Sequence, residues 1–98
     1  MSEFPGILFK DGPSGRRAAL AYGPDVWEIV RFLKEVDERG EGAVAAASEV
    51  LALPVARIRL AMQYYAEFPD EIDVRIADAN DVAVRAEADF DAQQRLLA

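Results

Sequence analysis

The 98-residue chain has no cysteine and no histidine. Their absence removes disulfides, thiolate metal sites, the commonest general base and the commonest transition-metal ligand together. Threonine is missing too, and serine occurs only at Ser2, Ser14 and Ser48. No nucleophile–histidine–acid triad can be assembled from this inventory. No apolar run approaches the ~20 residues that a bilayer requires. The start, "MSEFPGILFKDG", has neither the basic head nor the long apolar stretch of a secretory signal. The reading is a cytoplasmic protein with no membrane contact, no catalytic residues, no metal and no cofactor.

What is present suits one small domain. Apolar residues make up 52% of the chain, enough for a core. The net charge of −7 is uneven: residues 1–68 carry eight basic and ten acidic side chains, residues 69–98 three and eight. A near-neutral body thus precedes an acidic tail. Phosphate neutralisation needs clustered Lys and Arg, so any nucleic-acid role must come from a local face of the body.

Ile7–Lys10 reads as a short strand, "DGPSG" at 11–15 as a turn and "RRAALAY" at 16–22 as a returning strand. A lone hairpin is marginal in water, so this one needs a helix beneath it or a second copy beside it. After Gly23-Pro24, Asp25 is placed to cap a first helix. Val26, Ile29, Val30, Leu33 and Val36 mark its inner face, widened by Trp27 and Phe32. The glycines of "ERGEG" end it at 38–42. A second, alanine-rich helix spans 43–52. Leu53-Pro54 introduces a third over 55–68, with Ile58, Ala61, Met62 and Tyr65 inward. Of the adjacent pair Tyr64-Tyr65, one ring is expected inside and one at the rim. Pro69 opens a fourth helix, with Asp70, Glu71 and Asp73 at its positive end. Ile72, Ile76, Ala79, Ala83, Ala86, Phe90 and Leu97 form its stripe.

The expected fold is therefore mainly α: a small N-terminal β-hairpin, then a four-helix helix-turn-helix (homeodomain-like) domain with a long C-terminal helix. Residues 1–75 form the domain and 76–98 an acidic helical segment. Ser48, Ala52 and Ile58 match the helix–turn–helix spacing of small residue, left-handed turn and buried aliphatic, with alanine where glycine fits best. Arg59 and Gln63, four apart, share the outer face of helix three with Arg57 near its start. These residue types read guanine and adenine edges. A solvated face whose arginine stems cover apolar surface is the competing reading. Arg16 and Arg17 either hold phosphates or guard a strand edge. The acids at 70, 71 and 73 read as a helix N-terminus rather than a carboxylate site. The distal stripe either closes its own core or lies in a groove on a partner, whose charge would be basic.

Three stretches, "LFKDGPSGRRAAL", "DVWEIV" and "LALPVARIRLAMQYYAEFPDEID", resemble a family of short bacterial proteins. There a β-hairpin precedes a homeodomain-like helix–turn–helix, and a "V-x-x-A-x-x-Y-Y-A…P-D-E-I-D" segment follows. That segment falls on Ile58, Ala61, Tyr64, Tyr65, Ala66 and Pro69 to Asp73, with isoleucine in place of the valine. The likeness covers about residues 7–75, and many members carry glycine near Ala52. The family is similar to VapB-type antitoxins of toxin–antitoxin systems. The resemblance implies a homodimer that binds operator DNA, represses its own operon and neutralises a PIN-like nuclease toxin encoded nearby through its C-terminal segment. On this view Arg16, Arg17, Arg57, Arg59 and Gln63 contact DNA, and Ala79, Ala83, Ala86, Phe90 and Leu97 contact the partner. The alternative is an acidic protein-interaction module without DNA binding. A small enzyme would have to rely on Asp70, Glu71 or Asp73.

Overall fold

The computed structural model describes residues 5–12 and 15–98. Strand β1 (Ile7–Gly12) pairs antiparallel with β2 (Gly15–Leu20), Ile7 opposite Leu20 and Leu8 opposite Ala19. Pro13 and Ser14 of the expected turn, like Ser2, lie outside the described residues. Helices α1 (Val26–Glu35), α2 (Glu41–Leu51), α3 (Val55–Glu67) and α4 (Pro69–Leu97) follow. The fold is thus mainly helical with an N-terminal hairpin and a long last helix, as the sequence predicts.

Each helix begins and ends for a local reason. Asp25 has extended backbone at the start of α1, and its N–H donates to Glu28 Oε1 (3.3 Å), the reciprocal half of a capping box. Gly40, at φ +58°, opens α2 two residues earlier than the alanine run suggests. The expected turn glycine is replaced by Ala52, which still adopts the left-handed conformation (φ 55°, ψ 46°). Ser48 holds that turn: its Oγ donates to Leu53 O (2.5 Å) while its carbonyl accepts Leu53 N–H (3.1 Å). Pro69 and the carboxylates Asp70 and Glu71 fill the first turn of α4.

One core joins the hairpin to all four helices. Leu20, Val26, Ile29, Val44, Ala47, Ile58, Ala61 and Ile72 are its centre. Strand β2 ends at Leu20, short of the expected Tyr22, because Tyr22 turns to φ +57° and stands fully in solvent. Ala18 and Ala19 are poor strand formers by propensity, yet both are buried. Their smallness lets the hairpin lie close, and an isolated bridge joins Ala19 to Asp25.

The inward tyrosine differs from expectation. Tyr64, not Tyr65, is buried, and Tyr65 sits at the rim. Helical spacing from Ile58 and Ala61 admits either ring. The hairpin and the α3–α4 junction decide between them, since Phe9 and Phe68 flank the Tyr64 ring at centroid distances of 6.3 and 4.9 Å.

Helix α4 crosses the expected boundary at 75/76 without a break. Ile72 and Ile76 are buried in the core, and from Asn80 onward every residue is exposed. At a rise of ~1.5 Å per residue the helix is about 43 Å long, so roughly its second half stands clear of the body.

Candidate partner and nucleic-acid surfaces

Four arginines and one glutamine are the sequence candidates for DNA contact. Arg17 turns inward: its Nε donates to Asp25 Oδ2 (2.5 Å). That carboxylate also accepts the Trp27 indole N–H (3.2 Å). Asp25 is buried, and these two donors satisfy a charge that burial would otherwise penalise. Arg57 is half-buried and donates from Nη2 to Ala21 O, tying α3 to the turn after β2. Both side chains therefore serve the fold.

The other three are at the surface. Arg16 lies over the Phe9 ring, 4.0 Å from its centroid, and its carbonyl accepts Arg75 Nη2 (2.7 Å). Arg59 forks onto Glu41 at the start of α2, which raises the guanidinium pKa above its ordinary value. Gln63 is exposed one turn further along α3. Arg59 and Gln63 thus share an outer face, whereas Arg16 belongs to the hairpin and Arg17 and Arg57 answer to internal acceptors. The five do not gather into one patch.

Two of the acids at the start of α4, Glu71 and Asp73, are engaged as well. Tyr64 Oη donates to Glu71 Oε2 (2.9 Å) and lies 3.1 Å from Oε1. Burial, then this bond, pushes the phenol pKa far above its ordinary value. Lys34 Nζ (2.9 Å) and Tyr65 Oη (3.0 Å) both donate to Asp73 Oδ1, with Lys34 also over the Tyr65 ring at 5.1 Å. The bond to Lys34, then that to Tyr65, holds the Asp73 carboxyl below its usual range. These pairs lock α1, α3 and α4 together. Among the described residues no three acids gather as a metal would need.

The distal stripe is arranged differently. Ile72, Ile76, Ala79, Ala83, Ala86 and Phe90 follow the alternating four- and three-residue steps of a heptad seam, and Leu97 lies one full heptad beyond Phe90, past the polar Gln93. The first two are core. The next three line a cleft of about 670 Å³ together with Arg17, Asp25, Trp27 and Arg31. Arg31 lies 5.0 Å from the Trp27 ring centroid. Beyond the cleft, Phe90 is 59% and Leu97 78% exposed. Val82, which sequence reasoning left off the stripe, also lines the cleft, and its place beside Ala83 and Ala86 on the helix was the available signal. Asp78, Asp81, Glu87, Asp89 and Asp91 against Arg85 and Arg95 leave this segment at −3.

No described helix is long and apolar enough to cross a membrane. No protein-family model matches the chain, and no curated protein or solved structure matches it.

Proposed function

We propose that this protein is an antitoxin-like regulator whose working surface is the far half of α4. That surface lays an apolar stripe bordered by carboxylates into a groove on a basic partner protein. One observation carries the reading: the stripe that is core at Ile72 and Ile76 runs on in the same line through Ala83, Ala86, Phe90 and Leu97, where none of the described residues covers it. An amphipathic helix recognised in a groove offers anchors at this spacing. The surrounding carboxylates favour a partner of opposite charge and speed the encounter. The PIN-like nuclease implied by the family resemblance is the partner class we assign.

The test is co-purification. The tagged chain is expressed with the adjacent gene of its operon, beside a version ending at Ala79. A second protein in fixed ratio with the full chain, lost from the shortened one while its helical signal and oligomeric state persist, is the expected outcome. Equal capture by both forms overturns the reading.

DNA binding is the second role in the proposal, and the exposed face of α3 supports it in reduced form. Its readers are Arg59 and Gln63, with Arg16 toward phosphate, while Arg17 and Arg57 act by holding the hairpin and turn in place. The Arg59–Glu41 pair is solvent-exposed, so exchanging Glu41 for a phosphate costs little. Operator affinity is expected to fall steeply with salt and to drop in Arg59→Ala. Binding unchanged in that variant at every salt concentration would remove Arg59 from the reading face.

A further inference from the structure

The two edges of the hairpin are not equivalent. Ala21 N–H donates to Gly6 O (2.8 Å), which sets the hydrogen-bonding phase of the ladder. In an antiparallel pair every second residue pair exchanges its bonds inward. With the observed register, Leu8 bonds Ala19 and Lys10 bonds Arg17, so Ile7, Phe9 and Asp11 aim their backbone groups away from β2. On β2 outward groups at both ends of the strand are used: Leu20 N–H reaches Pro24 O (2.9 Å) and Arg16 O accepts Arg75 (2.7 Å). Among the described residues no strand covers the outer edge of β1. That edge also shows apolar side chains, with Leu8 49% and Phe9 39% exposed.

We propose that β1 pairs antiparallel with β1 of a second copy about a two-fold axis at Leu8, joining two hairpins into one four-stranded sheet. Only residues 7, 9 and 11 offer outward backbone groups, so a symmetric pairing has to centre on Leu8, Phe9 or Lys10. Centring on Lys10 sets two ammonium groups directly opposite each other, which is destabilising. Centring on Phe9 sets Phe9 against itself, but it places Leu8 against the partner's Lys10 and the core residue Ile7 against the partner's Asp11. Centring on Leu8 puts Leu8 against itself and Ile7 against the partner's Phe9, apolar on apolar, with Lys10 and Asp11 left at the flanks. The strand is self-complementary in this register alone. A free edge is usually blunted by charge, and here the charges lie beyond the apolar segment. A two-stranded sheet is marginal in water, and doubling it removes that weakness. The result is a closed, isologous dimer that does not depend on the role given to α4.

Three single-cysteine variants test the register without background, because the chain has no native cysteine. At a two-fold, non-bonded pair the Cα atoms are ~4.5 Å apart. That lies within disulfide reach of ~4.4–6.8 Å. Leu8→Cys is expected to convert to a covalent dimer on mild oxidation, Phe9→Cys poorly, and Lys10→Cys, its partner ~13 Å along the strands, not at all. The unmodified chain should scatter light with twice the 10.8 kDa of one copy. Leu8→Lys should halve that mass with an unchanged helical signal. A chain that is monomeric at every concentration overturns the proposal and leaves the edge to a strand of another protein. Cross-linking through Lys10→Cys in preference to Leu8→Cys, or a dimer that survives Leu8→Lys, overturns it too.

Discussion

The first and second halves of α4 obey different rules although they belong to one unbroken helix. In the first half Ile72 and Ile76 are buried and the flanking polar groups have partners: Glu71 with Tyr64, Asp73 with Lys34 and Tyr65. In the second half no residue is buried, and among the described residues the ion pair is Asp81–Arg85, one turn apart on the same helix. A backbone that is helical throughout is thus heterogeneous in what holds it. Most helical stability in proteins comes from tertiary packing of an apolar face, and the second half has no such packing. The contrast is that the first half is held by the core and the second is exposed along its whole length.

The sharpest way to break this comparison is to cut the same stripe on either side of the boundary. Ile72→Ala should destabilise the protein by about 2–5 kcal/mol in urea unfolding, through lost transfer energy and a residual cavity. Phe90→Ala, on the same seam, should stay within about 0.5 kcal/mol of the parent. It should weaken capture of the partner instead. Equal losses of stability would show that both halves are core.

Next in size is the junction of hairpin and α1. Asp25→Ala removes a cap and leaves Arg17 and Trp27 without their acceptor, an expected loss of about 2–3 kcal/mol in the same assay. Asp25→Asn keeps an oxygen for capping and should lose less.

Amide exchange resolves the comparison along the helix itself. Residues near Ile72 and Ile76 should exchange only with global unfolding, whereas those from about Asn80 on should exchange through local opening. Partner binding should slow the second group and leave the first unchanged.

Ala52 inverts the usual rule for alanine and glycine. Its left-handed backbone favours glycine, so Ala52→Gly should stabilise by about 0.5–1 kcal/mol, read as a raised urea midpoint. The smallest effect is a pH dependence. Asp73 has a lowered pKa in the folded chain, so its contribution is present in full above the ordinary carboxylate pKa of about 3.9 and is lost as pH falls through the lower folded value. Asp73→Asn should flatten stability against pH in that acid window, and high salt should mute the difference.

Much of the fold was legible from punctuation and period. Gly23-Pro24, the glycines around 40, Leu53-Pro54 and Pro69 mark the joints, and the left-handed turn falls at Ala52 as the spacing required. The candidate site was legible only in part. The stripe of α4 could be read, but not where burial on it stops. Arg17, Arg57 and Arg59 look alike in sequence as surface cations. Their acceptors Asp25, Ala21 O and Glu41 lie eight, thirty-six and eighteen residues away, distances over which periodicity carries no information.

Local chemistry therefore determined where each element starts and stops, which face of each helix is apolar, and the exclusion of histidine- or cysteine-based catalysis. These depend on backbone preferences and side-chain types, which each residue carries with it. Tertiary structure alone decided that Tyr64 rather than Tyr65 goes inside, that two arginines are consumed by the fold, and that burial on α4 ends after Ile76. Those outcomes depend on which distant surfaces meet. A hairpin closing over one ring, or a body that ends halfway along a helix, is set by the packing of all the elements together.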